Sequence, residues 1–188
     1  MDIARAAVRL FTEKGPDGTT AEEIAAEAGV ALRTFYRYFR NKQDAVGPLL
    51  AAGGARWREL LAAAEPGAPV ARTLEAAAVT ALSPPDEEAE EGLRQTRALL
   101  RAAQDDPALR AVWYRVNQES EEQLVPVIER LLGTEAEPLH VRMTAARATA
   151  AIRVALEVWA PTDAPVSGPS SPADLVVRCL KSAPHGKR

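Results

Sequence analysis

Residues 10–46 read LFTEKGPDGTTAEEIAAEAGVALRTFYRYFRNKQDAV, and their order of helix formers and breakers decides how the N-terminal part of the chain is built. Upstream, Ile3, Ala7, Leu10 and Phe11 recur at helical spacing, so a first helix is expected from Asp2 to Lys14, stopped by Gly15-Pro16. GPDGTT is a loop. Thr20 followed by Glu23 has the spacing of a capping box, with Thr19 and Glu22 as an equally spaced alternative, so a second helix opens there. It closes at Gly29, a natural left-handed position. A third helix is predicted from Leu32 to Phe39, ending before Asn41. Two short helices joined by a tight glycine turn make a helix-turn-helix. Ile24, Ala25 and Ala28 give the first of the pair a small apolar face. Val30, Phe35 and Phe39 can pack on that face, which leaves the early residues of the next helix pointing outward.

The charge of this segment is uneven. From Ala31 to Gln43 stand Arg33, Arg37, Arg40 and Lys42 with no carboxylate among them, together with Phe35, Tyr36, Tyr38 and Phe39, four of the nine aromatics in the chain. A basic, aromatic second helix suits the major groove of DNA. The chain as a whole carries a formal charge of −3, which argues against a protein that coats nucleic acid indiscriminately.

The quoted stretch resembles the DNA-binding signature of the TetR family of bacterial transcriptional regulators. The likeness rests on Leu10-Phe11, Gly15, Gly18, Thr19-Thr20, Ile24-Ala25, Ala28-Gly29-Val30, Thr34, Tyr36, Tyr38-Phe39 and Lys42. It implies that Thr19, Thr20, Arg33, Thr34, Tyr36, Arg37, Tyr38 and Lys42 face DNA, with Arg33 at base edges and Tyr36 and Lys42 on phosphates. It also implies a ligand-responsive repressor that binds a palindromic operator as a homodimer. Two departures stand out. Ala31 replaces a serine or similar capping residue, at a cost of about 0.5–2 kcal/mol relative to serine. The family's basic extension before the first helix has no counterpart here, where that helix begins almost at Met1.

Beyond this unit the chain reads as all-α. Helices are predicted at about 42–64, 70–82, 87–104, 107–132, 138–159 and 172–180, separated by breaker clusters such as EPGAP, SPPDEE and Asp106-Pro107. Residues 161–171 read as a loop and 182–188 as a disordered tail. The division expected is a DNA-binding domain over 1–46 and a helical effector-binding and dimerisation domain over 47–188. The resemblance, and not any local motif, implies an inducer cavity in the second domain. Trp57, Leu61, Trp113, Tyr114 and Asn117 are its candidate lining, Asn117 adding a polar group near an aromatic pair. A late alanine-rich helix suggests the dimer contact, with Met143, Ala146, Ala150 and Ile152 meeting Leu175 and Val176 of a second copy in a four-helix bundle. PALRAVWYR, ERLLG and Trp159 resemble, more loosely, the mycofactocin-type actinobacterial subgroup, which implies a hydrophobic or acyl-CoA-like effector. Gly47-Pro48 lies within the helix expected at 42–64 and reads either as a hinge or as the start of the helix proper.

Other classes find little support. The chain has no nucleophile-elbow sequence, no glycine-rich phosphate loop and no metal-ligand spacing around His140 or His185, so neither an enzyme, a metal nor a cofactor is expected. The acidic run Asp86-Glu87-Glu88-Glu90-Glu91 reads as the solvated first turn of a helix. Cys179 stands alone, so no internal disulfide is possible and a cytoplasmic protein is expected. No apolar run approaches the roughly 18–20 residues that span a membrane. The remaining alternative is a helical protein-interaction adaptor with a vestigial helix-turn-helix, against which the four uncompensated cations argue.

Overall fold

The computed structural model describes residues 2–65, 67–133 and 135–182. Within them the chain forms nine α-helices and one short 3-10 turn at Asp44–Val46, and no strand. The helices are α1 (Asp2–Lys14), α2 (Ala21–Glu27), α3 (Leu32–Tyr38), α4 (Gly47–Ala62), α5 (Val70–Leu82), α6 (Glu87–Ala102), α7 (Pro107–Leu132), α8 (Pro138–Trp159) and α9 (Pro172–Lys181). Helices α1–α3 form the N-terminal helix-turn-helix module, and α4–α9 form a helical domain behind it. The tail predicted as disordered lies, from residue 183 and including His185, outside the described residues.

Side-chain caps set the starts of α2, α6, α7 and α9. Asp86 accepts the backbone N–H of Ala89 at 2.8 Å at the head of α6, and Glu87, Glu88 and Glu90 follow in the first turn, where the helix dipole favours negative charge. Asp106 accepts from Ala108 and Leu109 at 2.8 and 2.9 Å to open α7. Ser171 caps α9 through Asp174 N–H at 3.3 Å. At the C-terminal end of α4, the Arg130 guanidinium donates to the carbonyls of Leu61, Ala62 and Ala64 and so ties down the last turn and the residues just past it.

Gly47-Pro48 opens α4, and no kink interrupts a longer helix. The 3-10 turn precedes it and Pro48 falls in the first turn, where a missing N–H breaks no intrahelical bond. The dipeptide starts the helix proper after a separate short turn. Further along, a Cβ on Gly54 would sit 2.8 Å from Ser120 Oγ, so glycine lets α4 lie close against α7.

Helix α8 packs on α7 and α9, α4 on α7 and α5, and α5 on α9, while α1 reaches both α4 and α6. Trp57, Leu109, Leu124, Ile128 and Trp159 fill the centre of this domain, all essentially without solvent exposure. The segment after α8 is not a free linker. Arg101 of α6 donates to the carbonyls of Ala160 and Thr162 at 2.7 and 2.8 Å, and the Arg97 guanidinium lies 3.7 Å over the Trp159 ring.

Candidate nucleic-acid interface and internal cavity

Helix α2 is held by a complete capping box. The Thr20 hydroxyl accepts from Glu23 N–H at 3.1 Å and Glu23 Oε2 accepts from Thr20 N–H at 2.8 Å. Lys14 pairs with the same carboxylate at 2.9 Å, and the Lys14 contact and the Thr20 N–H together hold Glu23 below its ordinary pKa. The turn follows at Gly29, whose φ of 67° is the left-handed conformation glycine permits, and Val30 N–H returns to Ala25 C=O at 2.9 Å.

Phe35 fixes the seating of α3. It has no solvent exposure, and its ring meets Phe39 at a centroid distance of 5.6 Å. With that side buried, Arg33, Tyr36, Arg37, Tyr38 and Arg40 all lie exposed, and Thr34 is half-buried. Arg37 leans on Tyr38, donating to its hydroxyl at 3.1 Å. The outward surface of α3 is therefore cationic and aromatic with no carboxylate, a surface that can meet phosphate oxygens and base edges. Ala31 precedes it as an N-cap without any side-chain bond, which leaves the first N–H groups of α3 unprovided for.

Just past α3 the module is tied to the rest of the chain. Gln43 Nε2 donates to Asp106 Oδ2 at 2.8 Å and Arg115 Nη2 to Asp44 Oδ1 at 3.0 Å, so two successive residues are gripped by the first turns of α7. The same helix then forms one wall of a cavity of about 170 Å³, through Trp113, Val116, Asn117 and Ser120. Leu50, Gly54 and Trp57 of α4 form another wall, Leu93 and Thr96 of α6 a third, and Thr149, Ile152 and Leu156 of α8 close it. Most of this lining is apolar. Two polar atoms of residues that line it, Trp57 Nε1 and Thr149 Oγ1, are buried with no hydrogen-bond partner among the described residues.

Comparison with known proteins bears on the N-terminal unit most directly. Residues 3–46 match the model of bacterial regulatory proteins of the tetR family. The helix-turn-helix is of the TetR type. Over 48 residues the chain is 46% identical to the HTH-type transcriptional regulator YvkB of Bacillus subtilis, a stretch that is 26% of this chain and 25% of that protein. The chain thus matches only a quarter of that relative's length. The solved structure of the Bacillus subtilis transcriptional regulator FadR, in complex with stearoyl-CoA, superposes with a TM-score of 0.59 at 22% identity, covering 98% of this chain and 99% of that one. The multidrug binding protein EbrR, complexed with imidazole, superposes at 0.56 and 23% identity over 98% and 95%. These likenesses place the whole chain in the TetR-like fold.

Within the TetR-type module, Thr20, Arg33, Tyr36, Arg37 and Tyr38 are exposed and Thr34 is half-buried, while two other residues of the expected DNA face make contacts inside the module. Thr19 is fully buried, and its hydroxyl donates back to the Gly15 and Leu10 carbonyls at 2.9 and 3.2 Å, so it has nothing to offer a phosphate. Lys42 donates two of its three ammonium N–H groups to the carbonyls of Pro16 and Thr19, at 2.7 and 2.9 Å, and so pins the loop between α1 and α2.

Of the expected cavity residues, Trp57, Trp113 and Asn117 do line it. Leu61 is sealed in the core beyond it. Tyr114 is 51% exposed and borders a separate depression with Arg110 and Glu157, because neighbours on a helix face directions about 100° apart. Ile152, expected at the dimer contact, instead lines the cavity, and Val176 is buried against its own chain. Met143 is open to solvent, with Ala146, Ala150 and Leu175 half-buried. Ser120, Thr149 and Gln123 were missed as lining residues. Ser120 follows Trp113 and Val116-Asn117 at helical spacing, a signal the sequence did hold.

Proposed function

We propose that the chain is a TetR-family transcriptional regulator, a ligand-responsive repressor that binds a palindromic operator as a homodimer through α3. The observation that carries this reading is the continuity of one element. Helix α7 grips Gln43 and Asp44 at the foot of the TetR-type module and also walls the internal cavity, so whatever fills the cavity acts on the helix that holds the DNA-binding unit. The liganded structures of FadR and EbrR, alike in fold, support a small-molecule effector for this chain. Placement in the mycofactocin-type subgroup rests on the α7 and α8 motifs alone.

The test is selection of bound fragments from a genomic DNA library, followed by footprinting. A protected inverted repeat is expected, with half-sites about 34–36 Å apart along the duplex. Arg33→Ala combined with Arg37→Ala should abolish the footprint. Binding to no DNA, or equal binding to all DNA, would instead favour the adaptor reading.

A further inference from the structure

The cavity walled by α4, α6, α7 and α8 has a chemistry more specific than an apolar hole. Helical threonines of this chain normally satisfy themselves: Thr12, Thr73, Thr80, Thr96 and Thr144 each donate to the carbonyl four residues back, at 2.8–3.2 Å. Thr149 does not, although it is only 6% exposed, and its hydroxyl has no partner among the described residues. The indoles differ in the same way. Trp113 donates to Glu157 at 2.9 Å and Trp159 to the Ala164 and Pro165 carbonyls at 3.2 and 3.1 Å, whereas the Trp57 N–H is buried and unpaired. A buried polar group left unpaired is destabilising, and both of these belong to residues lining one cavity. The size is also informative. A cavity of about 170 Å³ is close to the ~150 Å³ that accommodates a benzene ring in an apolar core, and is small for a long acyl chain. Among the described lining residues, charge is provided only by Arg58 and Glu119. Both retain solvent contact, and Glu119 is already bonded to Arg115 at 3.2 Å.

We propose that the cavity takes an uncharged molecule of about one aromatic ring that carries a carbonyl oxygen, with the Trp57 indole N–H and the Thr149 hydroxyl as its polar anchors. The proposal rests on the effector reading above. Neither anchor atom is open to solvent or to the cavity as the structure stands, so binding turns both side chains toward the ligand, Thr149 into the second rotamer a helical backbone allows and the Trp57 indole toward the cavity it lines. Net neutral hydrogen bonds of this kind are worth a binding ratio of roughly three to ten.

The experiment is a titration of the full chain by two-dimensional nitrogen–proton NMR, following the three indole signals. Trp57→Phe assigns the Trp57 signal. Acetophenone is compared with ethylbenzene, which keeps the shape without the oxygen, and with benzoate. Acetophenone should move the Trp57 signal downfield and bind about three to ten times more tightly than ethylbenzene, an advantage that Thr149→Val removes. Equal binding of ethylbenzene would overturn the anchors, and tightest binding of benzoate would overturn the uncharged class. If acetophenone leaves the Trp57 signal unmoved while a small-molecule cell extract still alters operator binding, the ligand class alone falls. If operator binding ignores the extract as well, the effector reading falls with it.

Discussion

The Gln43 amide donates to the Asp106 carboxylate across 2.8 Å, and the same carboxylate caps α7. One side chain therefore holds both the foot of the TetR-type module and the head of the helix that walls the cavity. The two roles can be separated. Asp106→Ala removes the cap and should cost about 1 kcal/mol in thermal or urea unfolding. Gln43→Ala leaves the cap intact and should melt close to wild type, yet weaken the response of operator binding to effector. Unfolding curves alongside operator titrations with and without effector decide this. Equal unfolding losses in the two variants would dissolve the distinction.

Acid should act at the same joint. Burial pushes the Asp106 carboxyl up, but the hydrogen bonds from Gln43, Leu109 and Ala108 outweigh it, and the group ends below its ordinary value of 3.8. A depressed carboxylate favours the folded state above the unfolded value, and that contribution disappears as pH falls through the folded one. Wild type should therefore lose stability below about pH 4 relative to Asp106→Asn, which keeps a capping oxygen and has no proton to gain. Melting both proteins from pH 6 to pH 3 tests the sign. The gap between them should narrow toward acid.

Arg33 and Lys42 should fail in different ways. Arg33 is exposed and has no ion-pair partner among the described residues, so Arg33→Ala should leave the melting temperature unchanged. It should relax preference at one base position by about 1–3 kcal/mol. Lys42→Ala removes two bonds that pin the loop between α1 and α2, so it should lower both the melting temperature and affinity for every sequence. Fluorescence anisotropy on matched and mismatched operators, beside calorimetry, separates the two. An unchanged melting temperature for Lys42→Ala would show that the ammonium is free for phosphate.

Much of the fold was legible because its punctuation is chemical. Gly15-Pro16, Asp106-Pro107 and Ser171-Pro172 end or open helices through backbone requirements that act locally, and α1, α5, α7 and α8 run over the predicted residues. The outward face of α3 was legible in part, since burying Phe35 leaves Arg33, Tyr36 and Arg37 outward. Thr19 and Thr20 were not separable, because the spacing to Glu22 and Glu23 is the same and only packing against α1 chooses between them. The facing of α8 was hidden for a different reason. Alanine recurs on every side of that helix, so apolar periodicity cannot say whether Ile152 meets the cavity or a second copy.

Ala31 offers a gain in the other direction. It occupies the N-cap of α3 in an extended conformation but makes no side-chain bond. Ala31→Ser supplies an oxygen for the unpaired N–H groups and should stabilise the protein by about 0.5–2 kcal/mol, visible in urea unfolding. No gain would mean that the cap hydroxyl cannot reach the first turn.

The homodimer reading makes a demand on α8 that can be tested directly. Leu139, Met143 and Val158 are 64%, 52% and 52% exposed. Ala146, Ala150 and Val154 lie half-buried between them at helical spacing, so the outer face of α8 is an apolar strip edged by Arg142 and Arg147. Such a strip suits an isologous contact in which small residues let two copies of the helix approach. Met143→Glu puts a charge into its middle, and burying that charge without a partner in a contact between copies is costly. Wild type should behave as a dimer at micromolar concentration by light scattering, with a melting temperature that rises with concentration. Met143→Glu should run as a monomer and lose operator affinity, because both half-sites no longer bind together. Ile152→Ala is the control, since Ile152 lines the cavity instead of the strip. It should lower stability and leave the mass unchanged. A dimeric Met143→Glu with a monomeric Ile152→Ala would move the contact off the outer face of α8.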